Sequence, residues 1–115
     1  MNRKFYVSLF FVLAFAGTAL NAQEGYRGPG PAIVTVESAK GLRDEYPVTV
    51  RGRIEKFLGD EKYLFVDDTG SIIIDIDDKL WYGISVDQND TVEIIGEIDR
   101  EFTRIEIDAS SMKKV

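Results

Sequence analysis

The chain has 115 residues, with 14 Lys and Arg against 20 Asp and Glu, a net charge of −6, and neither Cys nor His. That length allows one small domain around a single core. The composition excludes disulfides, thiolate nucleophiles, the usual zinc sites and the commonest general base, and the acidic balance opposes binding to a phosphate backbone.

Arg3 and Lys4 open the chain, Phe5 through Leu20 is almost wholly apolar, and Leu20-Asn21-Ala22 precedes the polar Gln23-Glu24. A basic end, an apolar run and a small residue in that order predict a cleavable secretory signal over residues 1–22. The apolar run is shorter than the roughly 20 residues of a spanning helix, so no membrane span is expected after cleavage. No Cys is present to carry a lipid. The expected mature protein is Gln23–Val115, periplasmic, with 12 of the 14 basic residues left against 20 acidic ones, a net charge of −8. Metal cations, basic peptides and neutral sugars fit that sign; nucleic acid does not. Residues 23–31, rich in Gly and Pro, predict a flexible leader before a domain over 32–115.

Thr35 is placed to cap a short helix with Val36, Ala39 and Leu42 on one side and Gly41 at its end. From Pro47 the period becomes two. Val48, Val50, Gly52 and Ile54 alternate with Thr49, Arg51, Arg53 and Glu55, which predicts a half-buried strand. Gly59-Asp60-Glu61 reads as a turn, Tyr63 to Asp68 as a second strand, Asp68-Thr69-Gly70 as a tight turn and Ser71–Asp77 as a third strand. Asp77 or Asp78 can cap one helical turn that Gly83 stops. Val92, Ile94, Gly96 and Ile98 mark a fourth strand, and Ile105, Ile107 and Ala109 a fifth. Arg51 and Arg53 are expected opposite Glu93 and Glu97 as cross-strand pairs.

Five strands with a helix between the third and fourth is the order of an oligonucleotide/oligosaccharide-binding (OB) barrel; an unrelated β-sandwich is the competing arrangement. The expected fold is thus mainly β, a five-stranded OB-fold barrel with a short N-terminal helix and a short helix between strands three and four. Gly52 and Gly96 interrupt inward apolar positions, as a sharp bend or bulge in a small barrel requires.

Pro47 to Ile54, Gly59 to Gly70, Ile74-Asp75-Ile76-Asp77 with Trp81, and Val92 to Asp99 together resemble the bacterial OB-fold (BOF) family, over about Ala32 to Val115. The resemblance implies a periplasmic five-stranded barrel associated with tolerance of stresses such as peroxide, antimicrobial peptides or metals. It brings no catalytic residue and no cofactor. It also suggests that Tyr63 and Phe65 face inward, and Trp81 is expected to plug one barrel end.

With Tyr63, Phe65, Ile72, Ile74 and Ile76 inside, Leu64, Val66, Ile73 and Asp75 share the opposite face. Two placements of the three apolar residues remain open: an exposed binding patch, or burial under the N-terminal helix. The expected ligand-binding residues are Leu64, Val66, Ile73 and Asp75, flanked by Asp60 and Glu61 in the loop Leu58–Lys62 and by Arg100 and Glu101 in the loop Asp99–Thr103. The aspartates at 67, 68, 75, 77, 78, 87 and 90 read as turn starters and caps; the EF-hand spacing fails because Leu80 stands where that loop needs Gly. No metal ligand or catalytic residue is expected. The function expected is a non-catalytic binding module for a small-molecule, cationic or cell-wall ligand or a protein partner. Hydrolysis of a cell-wall glycan by paired carboxylates is the alternative, and nucleic-acid binding a weaker one.

Overall fold

The computed structural model describes residues 30–115. The expected signal segment and residues 23–29 of the expected leader lie outside the described residues. The elements are α1 (Val36–Ala39), β1 (Pro47–Gly59), β2 (Lys62–Asp67), β3 (Gly70–Asp75), a 3₁₀ turn (Asp78–Trp81), β4 (Val92–Glu101) and β5 (Arg104–Lys114). The strands close in the order β1-β2-β3-β5-β4, with β4 returning to β1. All pairs are antiparallel except β3 with β5. This is the expected OB-type barrel.

Alternation builds the interior. Val48, Val50, Ile54, Phe65, Ile72, Ile74, Ile76, Val92, Ile94, Ile98 and Ile107 are buried together. Gly52 and Gly96 sit where strands press closest. A Cβ on Gly52 would overlap Val66 O and the Phe65 ring, and one on Gly96 would overlap Asp108 O.

Two strands run further than their alternation indicates. β1 pairs with β4 only through Gly52 and continues on β2 to Gly59, with extra residues at Glu55 and Leu58 that break the period. β5 has an extra residue at Ser110, which resets the alternation and turns Met112 inward opposite Ile94. Bulges of this kind bend a strand and increase its twist, which helps a small barrel to close.

α1 closes one barrel end. Thr35 caps it by accepting from Ser38 N at 3.1 Å, and Val36 and Ala39 are buried. Two side chains of the β2–β3 turn hold its start: Asp67 Oδ2 accepts from Val36 N at 2.8 Å and Thr69 Oγ1 from Glu37 N at 3.0 Å. Thr49 Oγ1 donates to Pro31 O at 2.7 Å and Val34 N to Thr49 O at 2.9 Å, so the chain is already fixed to β1 at Pro31.

Candidate functional site

Outward alternation places Leu64, Val66, Ile73 and Asp75 on one face, with Leu64 opposite Ile73 and Asp75 opposite Lys62. All four are half-buried. α1 is held at the barrel end by the Asp67–Gly70 turn.

The parallel β3–β5 pairing brings Glu106 beside Ile73. Glu106 faces outward yet is only 3% exposed. A buried carboxylate needs a charge partner, and Lys62 Nζ supplies one at 2.6 Å from its Oε1, while reaching Asp75 Oδ2 at 3.5 Å. Arg104 Nε lies 3.6 Å from Glu106 Oε2, and its Nη2 is 2.7 Å from Glu101 Oε1. One network thus runs from Asp75 through Lys62, Glu106 and Arg104 to Glu101. The hydrogen bond that Lys62 donates to Glu106 raises the Lys62 pKa above 10.5, against the opposing effect of burial, and the Asp75 carboxylate adds to the rise. The sequence reading included Asp75 and Glu101 but missed Lys62, Glu106 and Arg104. Alternation showed that Glu106 points outward; its burial comes from a strand more than thirty residues away in sequence.

The two flanking loops sit at opposite ends of this face. Asp60 and Glu61 form the β1–β2 turn beside Asp75, and both adopt left-handed backbone, with φ of 53° and 66°. Glu61 is committed to structure, since its carbonyl accepts from Ile76 N at 2.8 Å and its Oε2 from Asp78 N at 3.3 Å. Arg100 is likewise committed. It donates to Leu42 O from Nε at 3.2 Å and from Nη2 at 2.8 Å, and also to Lys40 O, clamping the carbonyls that follow α1. Of the four loop residues, Asp60 alone makes no hydrogen bond or ion pair through its side chain among the described residues.

The Arg51 pair forms as expected, with Nε 2.7 Å from Glu93 Oε1. Arg53 does not meet Glu97. It donates to Gln88 O at 3.5 Å, because the antiparallel register puts Pro47, not Arg53, opposite Glu97.

At the barrel end opposite α1, Tyr63 and Trp81 pack against the core with ring centroids 5.3 Å apart, and Phe57 lies 5.1 Å from Tyr63. Trp81 thus sits at one barrel end, half-buried, and its buried Nε1 has no hydrogen-bond partner among the described residues. Burial pushes the Tyr63 phenol up, and the Asp78 and Glu61 carboxylates push it further. The nearby indole of Trp81 opposes the rise without completing hydrogen-bond geometry.

Two shallow depressions mark the surface. One of about 230 Å³ is lined by Arg51, Gly52, Arg53, Val66, Asp67, Asp68 and Thr91. The other, of about 210 Å³, holds Asp44, Glu45, Glu97, Asp99 and Asp108. The Asp108 carboxyl is raised above 3.8 by desolvation and by Asp75 and Asp99. Among the described residues no group of three acidic side chains converges to hold a metal ion, and no helix is long and apolar enough to cross a membrane.

A family model described as Bacterial OB fold (BOF) protein matches residues 14–114. Protein YgiW of Escherichia coli (strain K12) is 47% identical over 127 aligned positions, covering 97% of this chain and 98% of that protein. A solved structure of the hypothetical protein ygiW from E. coli superposes with a TM-score of 0.73, covering 81% of this chain and all of that one. The calcium-regulated OB-fold protein CarO of Pseudomonas aeruginosa is 34% identical over 93 positions, covering 79% of this chain and 80% of CarO.

Proposed function

The chain belongs to the bacterial OB fold (BOF) family, and from that premise we propose that it is an exported, non-catalytic binding module supporting envelope stress tolerance. Its contact surface is the outer face of β2 and β3. One observation carries this reading: Leu64, Val66 and Ile73 lie half-buried on that face, beside the ion network that joins Asp75 to Glu101. Partly exposed apolar side chains next to fixed charges suit a ligand that is part apolar and part charged. The ligand classes are a small or cationic molecule, a cell-wall fragment or a protein. A calcium-regulated relative adds divalent cations to the set worth testing.

The test combines binding and physiology. Mature protein is screened against cell-wall fragments, divalent cations and cationic peptides, and Asp75→Ala and Val66→Asp are scored for stress tolerance. Lost tolerance with a melting temperature changed by only a few degrees supports the site. Unfolding of Val66→Asp would reassign the patch to the core. Export is tested separately: mass spectrometry of protein from its native compartment should find Gln23 as the first residue.

Glycan hydrolysis has one observation in its favour, the raised Asp108 carboxyl between Asp75 and Asp99. An acid of that kind also needs a cleft to hold the sugar, and Asp108 opens on a shallow depression. No release of reducing ends from cell-wall glycan is expected.

A further inference from the structure

Several exposed apolar side chains lie away from the β2–β3 face. Phe57 is 62% exposed, Leu58 44% and Tyr82 92%. All three belong to the segments that form the Tyr63–Trp81 end: the last residues of β1 and the 3₁₀ turn with its cap. Phe57, Tyr63 and Trp81 form a continuous row at centroid separations of 5.1 and 5.3 Å. The same segments carry Asp60, Glu61, Asp77 and Asp78 against Lys56 and Lys79. Glu61 and Asp78 are held together where the 3₁₀ turn begins, by the 3.3 Å bond from Asp78 N to Glu61 Oε2.

Aromatic faces bordered by carboxylates attract organic cations, through the ring quadrupole and through charge. We propose that this barrel end docks a basic polypeptide segment, with Arg or Lys side chains laid on Phe57 and Tyr82 and paired to the rim carboxylates. This rests on the reading of the chain as a binding module, at a surface separate from the β2–β3 face. Charge complementarity selects the partner, and openness selects its size. Phe57 and Tyr82 stand out into solvent, 62% and 92% exposed, whereas a small ligand needs a concave site that buries most of it. A chain can instead reach across several side chains. Strand addition to the free side of β1 beyond Gly52 is a poorer explanation for the exposed residues, because the extra residues at Glu55 and Leu58 and the charge of Lys56 protect that edge from pairing.

Trp81 is the only tryptophan in the chain, so its emission reports on this end alone. The experiment titrates an oligoarginine peptide into the protein at physiological salt, reading peptide anisotropy and Trp81 fluorescence together. Saturable binding with a change in Trp81 emission is expected. Phe57→Ala and Tyr82→Ala should each weaken it about three- to fivefold, Asp60→Asn should weaken it less, and Phe102→Ala, a still more exposed aromatic at the β4–β5 turn, should leave it unchanged. Circular dichroism melts confirm that the variants fold. Three results would overturn the proposal: no binding of the peptide; binding without a Trp81 change and equal for Phe57→Ala; or spermine matching the peptide in affinity and emission, which would make the site one for small cations. None of these touches the tolerance assay on Asp75 and Val66, so a failure here is distinguishable from failure of the binding-module reading.

Discussion

Asp67 Oδ2 accepts the Val36 amide at 2.8 Å, across 31 residues of chain. Its other oxygen accepts from Thr69 N at 2.8 Å, Thr69 Oγ1 at 2.6 Å and Gly70 N at 3.2 Å. One carboxylate therefore shapes the β2–β3 turn and anchors the first turn of α1. Burial alone would raise its pKa, but these donors outweigh it and hold the group below 3.8. A depressed carboxyl stabilises the fold above its unfolded pKa, and that contribution disappears as pH falls through the folded value. Asp67→Ala should cost about 2 kcal/mol near neutral pH. In urea titrations the gap from the parent should narrow as pH drops well below 3.8. A gap independent of pH would show that the carboxylate's charge is not what matters.

Gly52 and Gly96 lie where a side chain meets backbone rather than a movable neighbour. Gly52→Ala should destabilise by about 2–3 kcal/mol or prevent folding, since Val66 O and the Phe65 ring must shift. Gly41→Ala is the control. Its Cβ would first meet Ser38 O at 3.7 Å, an ordinary contact, so its melting temperature should match or exceed the parent's.

The Lys62–Glu106 pair on the outer face predicts a non-additive mutant cycle. Lys62→Met leaves Glu106 buried with only Arg104 at 3.6 Å, a loss of about 1–2 kcal/mol after allowing for the partial exposure of Lys62. Lys62→Met with Glu106→Leu should recover most of it, because the desolvated charge disappears with its partner. Chemical denaturation of the two single variants and the double variant measures the coupling. Lys62 is raised above 10.5, so the pair's contribution is complete below that value and fades only as pH rises through the folded pKa. Equal costs for the double variant and the sum of the singles would remove the pair from the stability argument.

Asp108 gives the opposite pH signature. A carboxyl with its folded pKa raised costs stability as it ionises, over the window from 3.8 upward. Asp108→Asn should therefore raise the melting temperature at neutral pH and do little below pH 3.8. The gain stays under about 1 kcal/mol, since the residue is exposed and solvent screens Asp75 and Asp99. A destabilised variant at neutral pH would mean that the ionised carboxylate is favoured in the fold, and would remove the one observation that supports glycan hydrolysis.

Sequence by itself determined the features that are local. Alternation in residues 47–54 and 92–98 marked inward and outward faces, because a strand's side chains alternate whatever it pairs with. The Thr35 cap and the Asp77 cap, which accepts from Lys79 N at 2.8 Å, involve neighbours two or three residues away. Gly52 and Gly96 stood out because each broke an apolar series. Tertiary structure decided everything that depends on partners distant in sequence. Parallel pairing of β3 with β5 buried Glu106 and made Lys62 its counter-ion. Antiparallel register sent Arg53 away from Glu97, and Arg100, expected to face a ligand, instead clamps the carbonyls after α1, 58 and 60 residues back along the chain. The extra residues at Glu55, Leu58 and Ser110 shifted the period within β1 and β5, and no local pattern can announce a residue that the partner strand leaves unpaired.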